Sequence, residues 1–280
     1  MSPSRRPPAG PEWVRAWKPA VAGVHEVFHA HFVDYAYPPH VHDAWTVFIV
    51  DDGWIRYDLE ARHRGAGGQR VTILPPNVVH DGRAAALGGF RKRVLYLSTD
   101  VLDERLTGRA VDRPDVSEPA LRQAVHALHR ALGHPDDALE AESRLALVGD
   151  RLRAHLGGHP AGVGDGLRGH PGGLPDRQPG RLAADLRGLL DERLFERTTL
   201  AQAGRDLGAS PSHLVRCFTR TFGIAPHQYV TARRIEAARR RLLDGEPIAL
   251  VAADVGFYDQ AHFTRQFRRH VGTPPGRYAL

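Results

Sequence analysis

Residues 198–280 spell one unit twice, so any fold of this segment must place two copies of the same small motif side by side. At an offset of 49 residues His213 pairs with His262, Arg216 with Arg265, Phe218 with Phe267, Gly223 with Gly272, Pro226 with Pro275 and Tyr229 with Tyr278. Upstream the offset is 48, pairing Leu200 with Ile248, Ala203 with Val251, Leu207 with Val255 and Gly208 with Gly256. The second copy therefore has one extra residue in its turn.

Each copy reads as helix, tight turn, helix. In the first, Leu200, Ala203 and Leu207 face inward, Gly208 permits the turn, Ser210 caps and Pro211 opens a second helix, and Leu214, Phe218 and Phe222 face the core. In the second, Val251, Ala252 and Val255 lead to Gly256, Asp259 is the cap, and Phe263, Phe267 and Val271 face inward. This is the helix-turn-helix arrangement, whose second helix enters a DNA major groove. Arg216 lies about 200° around its helix from both Leu214 and Phe218, so it points outward, as does Arg265. Ser212, Arg216, Thr219 and Arg220 form one outward face; Ala261, Arg265, Arg268 and Arg269 form the other, with Gln260 in the first turn. His213, Val215 and Thr264 complete the candidate DNA contacts. Between the units, Pro226 opens a helix predicted to reach Leu243, a rod of about 27 Å that approaches the ~34 Å between successive major-groove segments.

The charge agrees. The net charge is +6, and residues 181–280 carry all of it, with 16 Lys+Arg against 10 Asp+Glu, while residues 1–180 are neutral. A basic segment joined to a neutral one points to a polyanionic partner. Gly157 to Gly180 holds 9 Gly and 4 Pro in 24 residues and reads as a flexible linker. No apolar run approaches a membrane span, and Cys217 is the only cysteine, so a cytoplasmic protein without membrane association is expected.

Before the linker the period changes. Phe28, Ala30 and Phe32 alternate with His29 and His31; Trp45, Val47 and Ile49 alternate with Thr46 and Phe48; Ile55, Tyr57 and Leu59 follow an Asp52-Gly53 turn. Such short strands suggest a small barrel or sandwich. From residue 117, with Ser117 as cap, Leu121, Val125, Leu128 and Leu132 recur at helical spacing, followed by Leu145, Val148, Leu152 and Leu156. These two helices either pack on their own domain or supply a dimer interface.

Residues 181–280 resemble the double helix-turn-helix domain of the AraC/XylS family of transcription regulators. Val255-Gly256-Phe257, Asp259-Gln260, Phe263, Arg265, Phe267, Gly272, Pro275 and Tyr278 carry the likeness. It implies double-stranded promoter DNA as partner, two reading helices per protomer, a homodimer and contact with RNA polymerase. Val215 departs from it, standing where a polar reader is expected; its contact would be apolar, for instance with a thymine methyl.

Residues 20–100 similarly resemble the cupin sensor domain of many family members, through His40-Val41-His42, Thr46 and Gly53, then Pro75-Pro76-Asn77-Val78-Val79-His80. The fold expected is therefore multi-domain: a tail at 1–19, an all-β cupin-like barrel at 20–110, a helical hairpin at 111–156, the linker at 157–180, and an all-α domain of two helix-turn-helix units joined by a long helix at 181–280.

His40 and His42 alternate on one strand, so both can face the interior, where His80 can join them. Three neutral imidazoles can hold zinc or ferrous iron, or serve as polar handles for an organic effector. In metal-binding cupins the position of Thr46 is a glutamate ligand. Without that carboxylate, His40, His42, Thr46, His80 and Arg83 are read as effector-binding, with Asp43 and Asp81 flanking; no cofactor is expected, and His40, His42 and His80 remain the candidates should a metal bind. The favoured function is an effector-responsive, sequence-specific transcription regulator and not an enzyme. The rival is a metal-dependent cupin enzyme or metal sensor fused to a DNA-binding domain.

Overall fold

The computed structural model describes residues 10–60, 62–85, 88–133, 138–157, 179–196 and 198–278. Among the described residues nine strands precede the C-terminal helices: β1 (Trp13–Trp17), β2 (Val24–Phe32), β3 (Ala36–His40), β4 (Trp45–Leu59), β5 (Arg62–Gly67), β6 (Val71–Leu74), β7 (His80–Ala84), β8 (Phe90–Leu97) and β9 (Asp115–Val116). Trp13–Trp17, expected in a tail, pairs antiparallel with β2.

β4 organises the sheet. Its first half pairs with β6 and β8, its second half with β5 and β7. Asp52-Gly53, expected to be a turn, is instead a bend inside one 15-residue strand. The register with β8 slips between Val50 and Asp52, and Gly53 adopts φ +75°, where a Cβ would stand 2.2 Å from the Gly89 carbonyl oxygen.

The sheet does not close, which corrects the expected cupin-like barrel. The main path runs β1-β2-β8-β4-β6-β9, while β3 pairs only with β7 and β5 only with β4, so four strands keep a single partner. Layering buries the faces that a barrel would bury by closure. Trp45, Val47, Ile49, Val71, Ile73, Leu95 and Leu97 face Leu121, Val125 and Leu128 of α2 (Pro119–Ala131) and Leu145, Val148, Leu152 and Leu156 of α3 (Ala138–Gly157), which follow the short α1 (Thr107–Asp112). The apolar stripes of α2 and α3 thus pack on their own sheet. α2 starts one residue later than expected: Glu118, not Ser117, is the N-cap, with Pro119 in the first turn.

The other face packs Phe28, Phe32, Phe48, Ile55, Tyr57 and Phe90 in one cluster with Ile235, Ala238, Leu242, Phe263, Phe267 and Val271 from the C-terminal helices. These are α4 (Pro179–Glu192), α5 (Leu200–Leu207), α6 (Pro211–Phe222), α7 (Pro226–Leu243), α8 (Ile248–Asp254) and α9 (Gln260–Val271). The predicted linker lies outside the described residues except at its ends, where Gly157 closes α3 and Pro179-Gly180 open α4.

One histidine pair lies on the sheet face that α2 covers. His29 Nε2 lies 3.2 Å from His129 Nδ1 between β2 and α2. Burial lowers the His29 pKa from 6.5 to about 4 and holds that of His129 well below its ordinary value. Both rings are neutral in the fold and take up protons when unfolded, so their contribution is complete above pH 6.5 and is lost as pH falls towards 4. The thermal midpoint should fall between pH 7 and pH 5, and His129→Gln should fall less; a parallel decline in both proteins would dismiss the pair as the cause.

Candidate DNA-reading helices and sensor pocket

Both helix-turn-helix units form as their punctuation dictates. Thr199 caps α5 in a reciprocal box with Gln202, Gly208 ends it at φ +64°, and Ser210 accepts from the His213 amide at the start of α6. In the second unit Gly256 takes φ +83° with only 2.8 Å from a built Cβ to the Phe195 carbonyl oxygen, and Asp259 caps α9 by accepting from the His262 amide. α7 separates the units with 18 helical residues.

The side chains sort as their spacing requires. Leu214, Phe218, Phe263 and Phe267 are fully buried. Ser212, Arg216, Thr219 and Arg220 are exposed on α6, and Gln260, Ala261, Arg265, Arg268 and Arg269 on α9. His213, Val215 and Thr264 are half-buried at the margins of these faces. Cys217 is 5% exposed, with its Sγ 3.6 Å from His213 Nε2.

α4 has no counterpart in the sequence reading, although Leu182, Ala183, Leu186 and Leu190 recur at helical spacing and are buried against α5 and α6. It gives the repeated tyrosines different partners. Tyr229 donates to Asp191 of α4 at 2.9 Å, whereas Tyr278 donates to Glu26 of β2 at 2.5 Å. The second unit takes from the sheet what the first takes from its own helix.

The predicted histidines do meet. His40 ends β3, His80 opens β7 opposite it, and His42 lies just beyond β3 rather than on it. Ring centroids are 4.4 Å apart for His40 and His80, 4.8 Å for His40 and His42, and 5.2 Å for His42 and His80. Thr46 and Asp81 line the same cavity, together with Tyr37, Lys92 and Tyr96. Arg83 does not: it is exposed and lines a separate surface groove with Trp54 and Arg56. Burial, then the neighbouring imidazoles, hold the His40 pKa well below its ordinary value, and burial brings that of His80 to about 3.

α7 reaches into this cavity. His42 Nδ1 donates to Glu236 Oε2 at 2.8 Å, Arg239 donates to the same oxygen at 3.0 Å, and its other arm donates to Glu26 Oε1 at 2.7 Å. All four groups are buried. Burial opposes ionisation of Glu236, but Arg239 and His42 outweigh it and hold that carboxyl low; for Glu26 burial prevails over Arg239 and raises the pKa. Around this core Arg240 pairs with Asp43, and Lys18 with Asp244 at 2.5 Å. Tyr35 donates to the Arg269 carbonyl at 2.7 Å, fixing the C-terminal end of α9 on the sheet. The alternation of β2 and β8 already sets Glu26 in line with inward Phe28 and Ala30, and Lys92 with inward Phe90 and Val94. A charge at an inward strand position was the signal that sequence reading passed over.

The family profile described as AraC-like ligand binding domain matches residues 22–148, and that described as helix-turn-helix domain matches residues 204–280. The virulence regulon transcriptional activator VirF of Yersinia enterocolitica is 29% identical over 96 residues, covering 34% of this chain and 35% of that protein. A putative AraC-like transcription regulator of Streptomyces lividans is 36% identical over 81 residues, covering 29% of this chain and 27% of that one. The match spans about a third of the length of these curated relatives. ToxT from Vibrio cholerae O395 superposes with a TM-score of 0.56 at 11% identity over 96% of each chain. The unsaturated fatty acid-bound form of ToxT from Vibrio cholerae strain SCE256 gives 0.53 at 12% identity, over 98% of this chain and 96% of that one. At such identity the likeness is one of fold.

Proposed function

We propose that the chain is an effector-responsive regulator of the AraC/XylS type that reads a promoter site through α6 and α9, a reading supported by the AraC-like ligand binding and helix-turn-helix profiles that match residues 22–148 and 204–280. The observation that carries the reading is the pair of equivalent capped helices with exposed arginine-bearing faces, held at opposite ends of α7. At 1.5 Å per residue α7 spans about 27 Å, which suits two successive major-groove segments on one face of the duplex.

In this reading residues 20–156 are the sensor, 157–180 the connection and 181–280 the DNA-binding part. His40, His42, Thr46 and His80 receive the effector, a second copy of the chain completes the operator-bound species, and RNA polymerase is the downstream partner. Among the described residues no helix is long and apolar enough to cross a membrane.

Selection of duplexes from a random library by the full chain tests the proposal. The recovered sites should contain two conserved segments about 10–10.5 base pairs apart, bound with an affinity that falls steeply as salt rises. Recovery of unrelated sequences, or salt-independent binding, would refute it.

A further inference from the structure

We propose that His40, His42 and His80 form a three-histidine site for a divalent first-row transition ion, zinc or ferrous iron by ligand chemistry, and that Glu236 transmits its occupancy to α7. The inference rests on the regulator reading and names the effector of its pocket.

The ring nitrogens are already assigned to tasks. His40 Nδ1 lies 2.7 Å from the Pro38 carbonyl oxygen, His80 Nδ1 3.0 Å from that of Val78, and His42 Nδ1 2.8 Å from the Glu236 carboxylate. All three partners only accept, so each ring carries its proton on Nδ1. The Arg239 guanidinium also approaches His42 Nδ1, but at 3.4 Å, and the shorter contact to Glu236 decides the tautomer. In the neutral form of each ring Nε2 then keeps a bare lone pair. Metal-binding histidines are prepared in this way, with the far N–H held by a carbonyl or carboxylate. One nitrogen from each ring already lies within 4.8 Å of the other two, and contraction to the ~3.3 Å separation that ~2.05 Å bonds require needs ring movements of only an ångström or so.

Size points the same way. The cavity measures about 40 Å³. Organic-ligand pockets run to about 300–1,000 Å³, whereas a water needs roughly 10–15 Å³, so this space suits an ion and its remaining waters. Thr46, 5% exposed, lines the same cavity with its Oγ1 unpaired among the described residues, a hydroxyl placed to hold a metal-bound water. The positive Arg239 on the cavity wall is balanced by Glu26 and Glu236. Lys92 lies over the ring of Tyr37, its Nζ 4.2 Å from the centroid, with no carboxylate partner among the described residues.

The coupling follows from the His42–Glu236 bond. A cation on Nε2 withdraws electron density from the imidazole and strengthens the Nδ1–H bond to Glu236. Glu236 sits on the helix joining the two reading units, so an occupied site draws α7 onto the sheet and fixes the units in the arrangement that presents both arginine faces.

The test uses the full chain stripped with chelator and titrated with Co²⁺, first for visible d–d absorption and then for affinity towards a duplex selected by the same protein. One equivalent should bind, and duplex affinity should rise by about 5–150-fold, the usual range of coupling between sites. His80→Cys should keep the ion and add a thiolate charge-transfer band in the near ultraviolet, a readout that a merely structural histidine would not give. Glu236→Gln should weaken Co²⁺ binding by about 10–100-fold and abolish the response of duplex affinity. Absence of stoichiometric Co²⁺ binding, or no new band in a folded His80→Cys protein, overturns the site; Glu236→Gln behaving as wild type overturns the coupling. If the chain selects and binds a duplex but takes no ion, the metal inference fails and the regulator reading stands. If it binds Co²⁺ but selects no duplex, the regulator reading fails and the coupling with it.

Discussion

Arg239→Ala is expected to destabilise the protein by about 3–5 kcal/mol, because removing one member of a buried ion network leaves its partners charged and unpaired. Glu26 and Glu236 both lose their guanidinium, and Tyr278 loses the donor that Arg239 Nε supplies to its hydroxyl at 2.8 Å. Chemical denaturation at pH 7 measures the loss. Adding Glu26→Gln and Glu236→Gln in an Arg239→Met background should recover much of it, since neutral groups need no counter-charge. The pH dependence carries a definite sign. Glu236, held below 4.5 in the wild type, stabilises above pH 4.5 and loses that contribution on acidification; Glu26, raised above 4.5, does the opposite. Without Arg239 both carboxyls favour the protonated form, so the gap between wild type and Arg239→Ala should narrow as pH falls from 7 to 4. A gap of under 1 kcal/mol at pH 7, or one that widens in acid, would show that the network is not what joins α7 to the sheet.

Arg265→Ala is expected to cost about 1–3 kcal/mol on the selected duplex and little on a scrambled one, as for a guanidinium reading guanine O6 and N7. Arg265 is exposed on the face opposite Phe263 and Phe267, and its side chain makes no hydrogen bond or ion pair among the described residues. Arg269 sits near the C-terminal end of α9, closer to the groove wall, so Arg269→Ala should weaken both duplexes alike and lower the salt slope by about one. Arg216 and Arg220 should divide in the same way, less sharply if half-buried Val215 makes the first unit the weaker reader. Equal losses of Arg265→Ala on both duplexes would make it a phosphate clamp.

Where one local rule decides the outcome, the chain could be read directly. Gly208, Ser210, Gly256 and Asp259 fix turns and caps by their own backbone and side-chain chemistry, and both repeated units formed around them. The histidine cluster was legible from its two motifs, which are brought together by pairing of β3 with β7, strands that are not neighbours in the chain and that set His40 opposite His80. Barrel closure was not, because it depends on which layer covers the inner face, and here Phe263, Phe267 and Val271 do so from more than 160 residues away along the chain. Arg83, by contrast, was misplaced although a local rule decides it: three residues beyond His80, it falls on the opposite face of the strand. Glu236 and Arg239 lie in a helix whose basic composition suggests a solvated rod, and only the tertiary arrangement buries them.

The bond from Tyr278 to Glu26 spans 252 residues of sequence and joins the second strand to the last described residue. A ribosome therefore exposes Glu26 long before it supplies its partner. Until then the sheet holds an inward carboxylate without this donor, and its inner apolar face is covered only when α9 emerges. Such long-range closure is slow, and the half-made chain is the form most exposed to aggregation. A chain cut short of Tyr278 would carry a sensor that, although fully encoded, lacks the hydroxyl that completes its buried charge cluster. The quality of the sensor fold is thus checked by a residue of the second helix-turn-helix unit.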